Sequence, residues 1–165
     1  MAELMNLAES LLEEDNALVL VCEVCANTFG IPTTQIQEVL AIPEIRPVHH
    51  APDYVRGLFN LRGKVLALID PAVKLELSRQ ALGPDSRILV VESGSELVGI
   101  LVESLSGIFP FSDQNLVPNP ENLQNSLQKS LAGFFFLDGN MVGLLKLDQL
   151  LGRDAESTIT GGEGE

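Results

Sequence analysis

Apolar residues crowd two short runs near the middle of the chain, Val55–Leu61 and Val65–Ile69, with Arg62-Gly63 at the turn between them. So little intervening chain admits only a tight turn, which predicts a β-hairpin. Gly63 supplies the positive φ such a turn demands. Each run is apolar on nearly every residue instead of alternating, the pattern of strands covered on both faces, as in a closed barrel or at the centre of a sheet. A charged arginine therefore sits at the tip of a buried hairpin.

The same pattern returns further on. Gly57–Asp70 lines up with Gly133–Lys146 at a constant shift of 76 residues, glycines and apolar positions coinciding almost throughout, and Phe29–Leu40 lines up with Val98–Phe109 at a shift of 69. Two halves built to one plan follow from this repeat. The remaining β-rich runs predict strands at 18–24, 28–31, 39–46, 87–92, 96–103, 105–109, 130–137 and 140–146, the last two closed by Asp138-Gly139. Thr33 or Thr34 is placed to cap a single helical turn after Pro32, and Pro71–Leu77 and Asp148–Gly152 read as short helical pieces. The polar stretch 110–129 reads as a long surface loop, and 78–86 as a linker between the halves. About ten strands at short intervals predict an all-β fold of two small barrels, because closure removes the edges that buried, charge-poor strands would otherwise expose.

The ends differ from the core. Leu4, Leu7, Ala8, Leu11 and Leu12 recur at helical spacing with Glu3, Glu9, Glu13 and Glu14 opposite, predicting an amphipathic helix within residues 1–16. It either folds onto the domain or docks a partner. Residues 153–165 are rich in Gly, Glu and Thr and predict a disordered acidic tail, leaving 17–152 as the folded domain.

Charge narrows the function. The chain carries a formal −13, of which Met1–Asn16 holds −5 and Arg153–Glu165 holds −3, while Arg46–Arg87 is locally basic with seven cations against four anions. Such a balance argues against nucleic-acid binding. No apolar run reaches the ~20 residues that span a bilayer, and the acidic N-terminus is unlike a secretory signal, which predicts a cytoplasmic protein. Cys22 and Cys25, three apart in a strand-like run, point to opposite faces and are expected to be reduced, buried thiols. His49-His50 lacks a third ligand nearby and predicts loop histidines rather than a metal site. No phosphate cradle, dinucleotide fingerprint, metalloprotease helix or nucleophile elbow occurs, so neither an enzyme nor a cofactor is expected.

One family carries these features together. Phe29-Gly30-Ile31-Pro32, Ile36-Gln37-Glu38-Val39 and the run from Ala51 through Asn60-Leu61-Arg62-Gly63-Lys64 to Ile69-Asp70 closely resemble the CheW family of bacterial chemotaxis coupling proteins. The likeness runs from about Leu18 to Gly152. It implies two five-stranded SH3-like barrels around a shared core. It also implies a non-catalytic adaptor between the cytoplasmic tips of methyl-accepting chemoreceptors and the regulatory domain of a CheA-type histidine kinase, with barrel ends packing in rings and receptor helices docking between barrels. Glu38 and Arg62 match family positions linked to coupling, and Ile36, Val39, Leu40 and Asn60 are expected near the partner surfaces. Pinning of the hairpin to the preceding strand is the competing role for Glu38 and Arg62. Related adaptors of twitching-motility or phototaxis pathways, a small-ligand or metal-sensing barrel, and a purely structural oligomer remain as alternatives.

Overall fold

A computed structural model describes residues 16–152. Ten strands make up this region: β1 Asn16–Val24, β2 Asn27–Pro32, β3 Ile36–Ala41, β4 Val55–Leu61, β5 Lys64–Ile69, β6 Arg87–Ser93, β7 Glu96–Val102, β8 Ser104–Ser112, β9 Leu131–Leu137 and β10 Asn140–Leu145. Three short helices accompany them: α1 Pro71–Lys74, α2 Asn125–Ser130 and α3 at residues 147–152. The expected N-terminal helix and acidic tail lie outside the described residues.

The strands form two five-stranded sheets, β8-β1-β2-β10-β9 (barrel 1) and β3-β6-β7-β5-β4 (barrel 2). Adding five to each strand number, and returning to the start after ten, turns the first order into the second. The internal repeat is thus a pseudo-twofold in space, yet the halves do not each build one barrel. Barrel 1 takes β1 and β2 from the first half and the rest from the second, and barrel 2 does the reverse. Residues 78–86 accordingly join β5 and α1 to β6 within one sheet, so this linker marks no border between barrels.

Both sheets are SH3-like barrels, and both close in the same way. After β3 the chain bends at Pro43 and returns at Arg46 to bridge Leu58 of β4, with N–H to carbonyl distances of 2.8 Å in each direction. After β8, Val117 bridges Phe134 of β9 in the same manner. At each seam the incoming backbone passes directly over a glycine. A Cβ on Gly57 would overlap the Arg46 carbonyl oxygen and lie 2.7 Å from Ile45, and one on Gly133 would lie 2.5 Å from the Val117 carbonyl oxygen. Both glycines also hold φ at 150°, where side chains are disfavoured.

Side-chain packing repeats with the backbone. Val21, Phe135, Val142 and Leu144 fill barrel 1, and their shifted equivalents Val90, Phe59, Leu66 and Leu68 fill barrel 2. Between the barrels lies a larger cluster of nineteen buried residues, against six inside each barrel, to which α1 and α3 contribute Ala72, Leu147, Leu150 and Leu151. The two barrels are therefore one folding unit.

Several local expectations change. The strand expected at 39–46 runs from Ile36 to Ala41, because Pro43 lacks the N–H to continue the ladder. The turn Thr33–Gln35 is a single 3-10 turn behind Pro32, with no side-chain cap from either threonine. The stretch 110–129 is more ordered than a loop. β8 runs on to Ser112, whose hydroxyl accepts the Gln114 N–H of a 3-10 turn, and Asn125–Ser130 is helical. Its polar side chains satisfy backbone groups: Gln128 Nε2 donates to the carbonyls of Pro120, Glu121 and Leu123, and Asn119 Nδ2 to those of Gln128 and Leu131. Val65, expected to be covered, is 66% exposed on the outer face of the hairpin.

The seam yields a direct comparison. Gly57→Ala combines overpacking with positive-φ strain and is expected to cost about 3 kcal/mol. Gly63→Ala, at φ 90° with nothing within 4 Å of the new Cβ, should cost only ~1 kcal/mol of strain. Urea unfolding of the two variants side by side checks this, and equal costs would remove closure as the controlling constraint.

Candidate functional site

Two charged constellations stand out, and both belong to barrel 2. The first is built on a β-bulge. In β3, Ile36 pairs with Val91 and Glu38 with Val90, leaving Gln37 as the extra residue. A bulge re-aims every side chain beyond it. Ile36 and Val39 consequently lie on the inter-barrel side, opposite Val91 and Leu89, while Glu38 and Leu40 turn toward barrel 2 opposite Val90 and Ile88. Gln37 itself donates through Nε2 to Glu92 at 2.8 Å.

Arg62 reaches Glu38 from the hairpin tip. Arg62 and Gly63 hold φ at 50° and 90°, the two positive values of a two-residue hairpin turn, and the Gly63 N–H donates to Asn60 Oδ1 at 2.9 Å. From that turn Arg62 Nη1 and Nη2 donate to Glu38 Oε2 and Oε1 at 2.8 and 2.5 Å. The fork is bidentate and bridges the two edge strands of the sheet beside the seam. Its side chains remain open, Arg62 at 69% and Glu38 at 31% exposure. Donation from Arg62 holds the Glu38 carboxyl below its ordinary 4.5, and the same bond raises Arg62.

In barrel 1 the bulge repeats between Val21 and Cys22, but Gly107 occupies the position of Glu38 and Asp138 that of Arg62. Asp138-Gly139 makes the same turn, with φ of 51° and 83°. The ion pair is thus an addition to the common plan.

The second constellation is buried. Asp70 is fully covered at the end of β5 and accepts from the Ala72 N–H (3.0 Å), the Gln80 N–H (3.0 Å), Gln80 Nε2 (2.7 Å) and Arg56 Nη1 (3.0 Å). Arg56 Nη1 also donates to the Gln80 carbonyl at 2.7 Å, and Gln80 Nε2 to the Leu101 carbonyl at 2.9 Å. One carboxylate thereby caps α1 and ties it to the β4–β5 hairpin, the linker and β7. Lys74 extends the tie to the other barrel, donating from Nζ to the Leu151 carbonyl of α3 at 2.9 Å while lying 4.5 Å from the centre of the Tyr54 ring. Sequence reasoning did not single out this node. Its signal was present: Arg56 and Asp70 align with Ala132 and Lys146 in the repeat, so opposite charges bracket only the first hairpin.

The structure thus joins Glu38 to Arg62 and sets Ile36 and Val39 on one face. Leu40 is separated from them, packing against the barrel 2 interior, and the Asn60 side chain is engaged in the turn. His49 and His50 lie exposed in the loop before β4. Cys22 is buried, its thiol pushed up to about 12 by burial and by Glu23. Cys25, expected in a strand, instead occupies the β1–β2 turn with φ 50°, and its Sγ donates to the Ser78 carbonyl at 2.7 Å. Burial, Glu103 and Asp70 raise its pKa.

A duplicated, strand-exchanged double barrel with one exposed charge pair at a seam defines a compact β module with a built polar surface feature. The chain belongs to the CheW-like domain family, whose model matches residues 18–155. It is 36% identical over 121 residues to a chemotaxis protein CheW of Rhizobium meliloti, covering 68% of this chain and 76% of that protein. It is also 26% identical over 124 residues to protein FrzA of Myxococcus xanthus, covering 74% and 77%. The crystal structure of the scaffolding protein TtCheW from Thermoanaerobacter tengcongensis superposes with a TM-score of 0.74 at 23% identity, covering 82% of this chain and 92% of that one. That likeness confirms the fold.

Two outcomes follow. A carboxyl held down by its partner stabilises the fold above its unfolded pKa, and the contribution disappears as pH falls through the lower folded value. An NMR titration should place the Glu38 midpoint below the ordinary 4.5, and Arg62→Ala should return it upward with little change in the thermal midpoint. Arg56→Met leaves Asp70 buried without its cation and should cost about 3 to 5 kcal/mol in chemical unfolding.

Proposed function

We propose that this protein is a non-catalytic cytoplasmic adaptor that couples methyl-accepting chemoreceptors to the regulatory domain of a CheA-type histidine kinase. The observation that carries this reading is the open Arg62–Glu38 fork at the barrel 2 seam, with Ile36 and Val39 on the opposite face of the same strand, on a chain of the CheW-like family. The similar chemotaxis proteins named CheW support it.

The chemistry fits such a role. Apolar Ile36 and Val39 supply contact area, while the neighbouring charges set register and exclude wrong partners. An exposed fork is preorganised without being consumed, since Arg62 has donors to offer beyond the two that meet Glu38. Asn60 contributes by locking the turn from which Arg62 projects, and Leu40 by seating β3 on barrel 2. Repetition of the fold without the pair in barrel 1 supports a role for Glu38 and Arg62 beyond folding.

A pull-down with a kinase regulatory domain and a receptor-tip fragment from the same genome tests the reading. Arg62→Ala should weaken retention about tenfold while leaving the circular-dichroism melt in place. Failure of the unaltered protein to retain either fragment at micromolar concentration sinks the adaptor reading, and a collapsed melt in the variant assigns Arg62 to the fold.

A further inference from the structure

β3 is an edge strand of its sheet and pairs there with β6 alone. Its six residues depend on that one ladder for their register, and the bulge near their start decides which face each later side chain takes. With the bulge, Glu38 stands opposite Val90 on the side of barrel 2, where Arg62 meets it. Without it, Gln37 would take that place and Glu38 would stand opposite Leu89, facing the inter-barrel core. A slip of one residue is thus enough to dissolve the fork.

The side chain of the bulged residue is tied down. Gln37 is exposed, and its Nε2 donates to Glu92 Oε1 at 2.8 Å, crossing from β3 to the end of β6. Barrel 1 provides an internal control. There the bulge recurs, with Val21 paired to Gly107 and Cys22 to Leu105, which leaves Ser106 as the extra residue. Glu23 is the counterpart of Glu92, so the acceptor is kept, but no side-chain hydrogen bond joins it to the short Ser106 among the described residues. The bulge therefore belongs to the common plan and the tie does not. It occurs in the barrel where a charged side chain is aimed, and is missing where Gly107 leaves nothing to aim.

We infer that Gln37 is a positioning residue for the Glu38–Arg62 fork, its hydrogen bond to Glu92 holding the bulged register that turns Glu38 toward Arg62. Glu92 is the anchor. Both side chains are exposed and lie outside the three core clusters, so the tie supplies direction and little of the stability of the fold. A single hydrogen bond shifts an equilibrium about fivefold, enough to favour one register of an edge strand over its neighbour. The aim of the carboxylate is a property of the chain itself, and only its effect on partner binding rests on the adaptor reading.

An NMR titration of the Glu38 carboxyl on the full chain reads that aim. Gln37→Ala and Glu92→Ala should each raise its midpoint toward the ordinary 4.5, as befits a carboxyl losing its cation. Removal of the Glu92 charge by itself acts in the opposite direction, so a rise reports the lost tie. Glu92→Gln keeps an amide oxygen to accept from Gln37 and should keep the midpoint low. In the pull-down with the kinase regulatory domain and the receptor-tip fragment, the two alanine variants should weaken retention about fivefold and Glu92→Gln should restore it, all with the thermal midpoint in place. A Glu38 midpoint unmoved by either alanine, or an equal rise in Glu92→Gln and Glu92→Ala, would overturn the inference. Weakened retention with an unmoved midpoint would overturn it too, in favour of Gln37 as a direct partner contact. Should Gln37→Ala disturb the fold, Glu92→Ala, which leaves β3 unaltered, carries the test. Midpoints that move as expected while the unaltered protein retains neither fragment uphold the positioning and sink the adaptor reading alone.

Discussion

Closure of each barrel through one pair of backbone hydrogen bonds is the constraint on which the rest depends. Arg46 on Leu58, and Val117 on Phe134, are the only isolated bridges among the described residues, and each forms because the neighbouring position is a glycine. Without them β3 and β4, or β8 and β9, would end as open edges with unpaired backbone. With them, each sheet curls around its own small apolar filling and offers its outer side to the other. The inter-barrel core can then be the larger of the hydrophobic clusters, because two curved surfaces meet along most of β1, β2, β6 and β7.

The charged groups divide along the same line between inside and outside. Asp70 gathers four donors where water cannot reach, so its partners act as structural ties, and breaking one exposes a burial penalty. Glu38 and Arg62 meet in the open, where the Coulomb gain is screened and a partner can compete for the same lone pairs and N–H groups. Similar chemistry thus serves two ends, and burial decides which.

Much of this was readable from residue pattern. Both hairpins, the glycines at 57, 63, 133 and 139, the shifts of 76 and 69 and the two-barrel class all follow from local spacing. Glu38 and Arg62 came together through the family likeness and their opposite charges, while the repeat added only that the turn does not demand arginine, since Asp138 stands at the equivalent tip. Assignment of strands to sheets was not accessible. Periodicity reports that a strand is covered on both faces and is silent on which strand covers it, so the exchange of β1 and β2 for β6 and β7 between the halves leaves no local trace. The bulge at Gln37 is equally silent, and it is what moves Ile36 from the side of Leu40 to that of Val39. Polar stretches mislead for another reason. Asn119 and Gln128 look solvent-seeking but spend their amides on backbone carbonyls, which turns an apparent loop into an ordered cap.

Strand exchange carries one more consequence. A half-length chain containing β1–β5 owns two strands of one barrel and three of the other and completes neither, whereas two such chains, embracing, complete both. The present molecule is in effect that symmetric dimer written on a single polypeptide. In a true dimer every substitution appears twice, so a charge gained at one seam is gained at both. Fusion lifts that obligation: it lets one seam keep Gly107 and Asp138 while the other holds Glu38 and Arg62, and so gives a twofold architecture a single, distinguishable front.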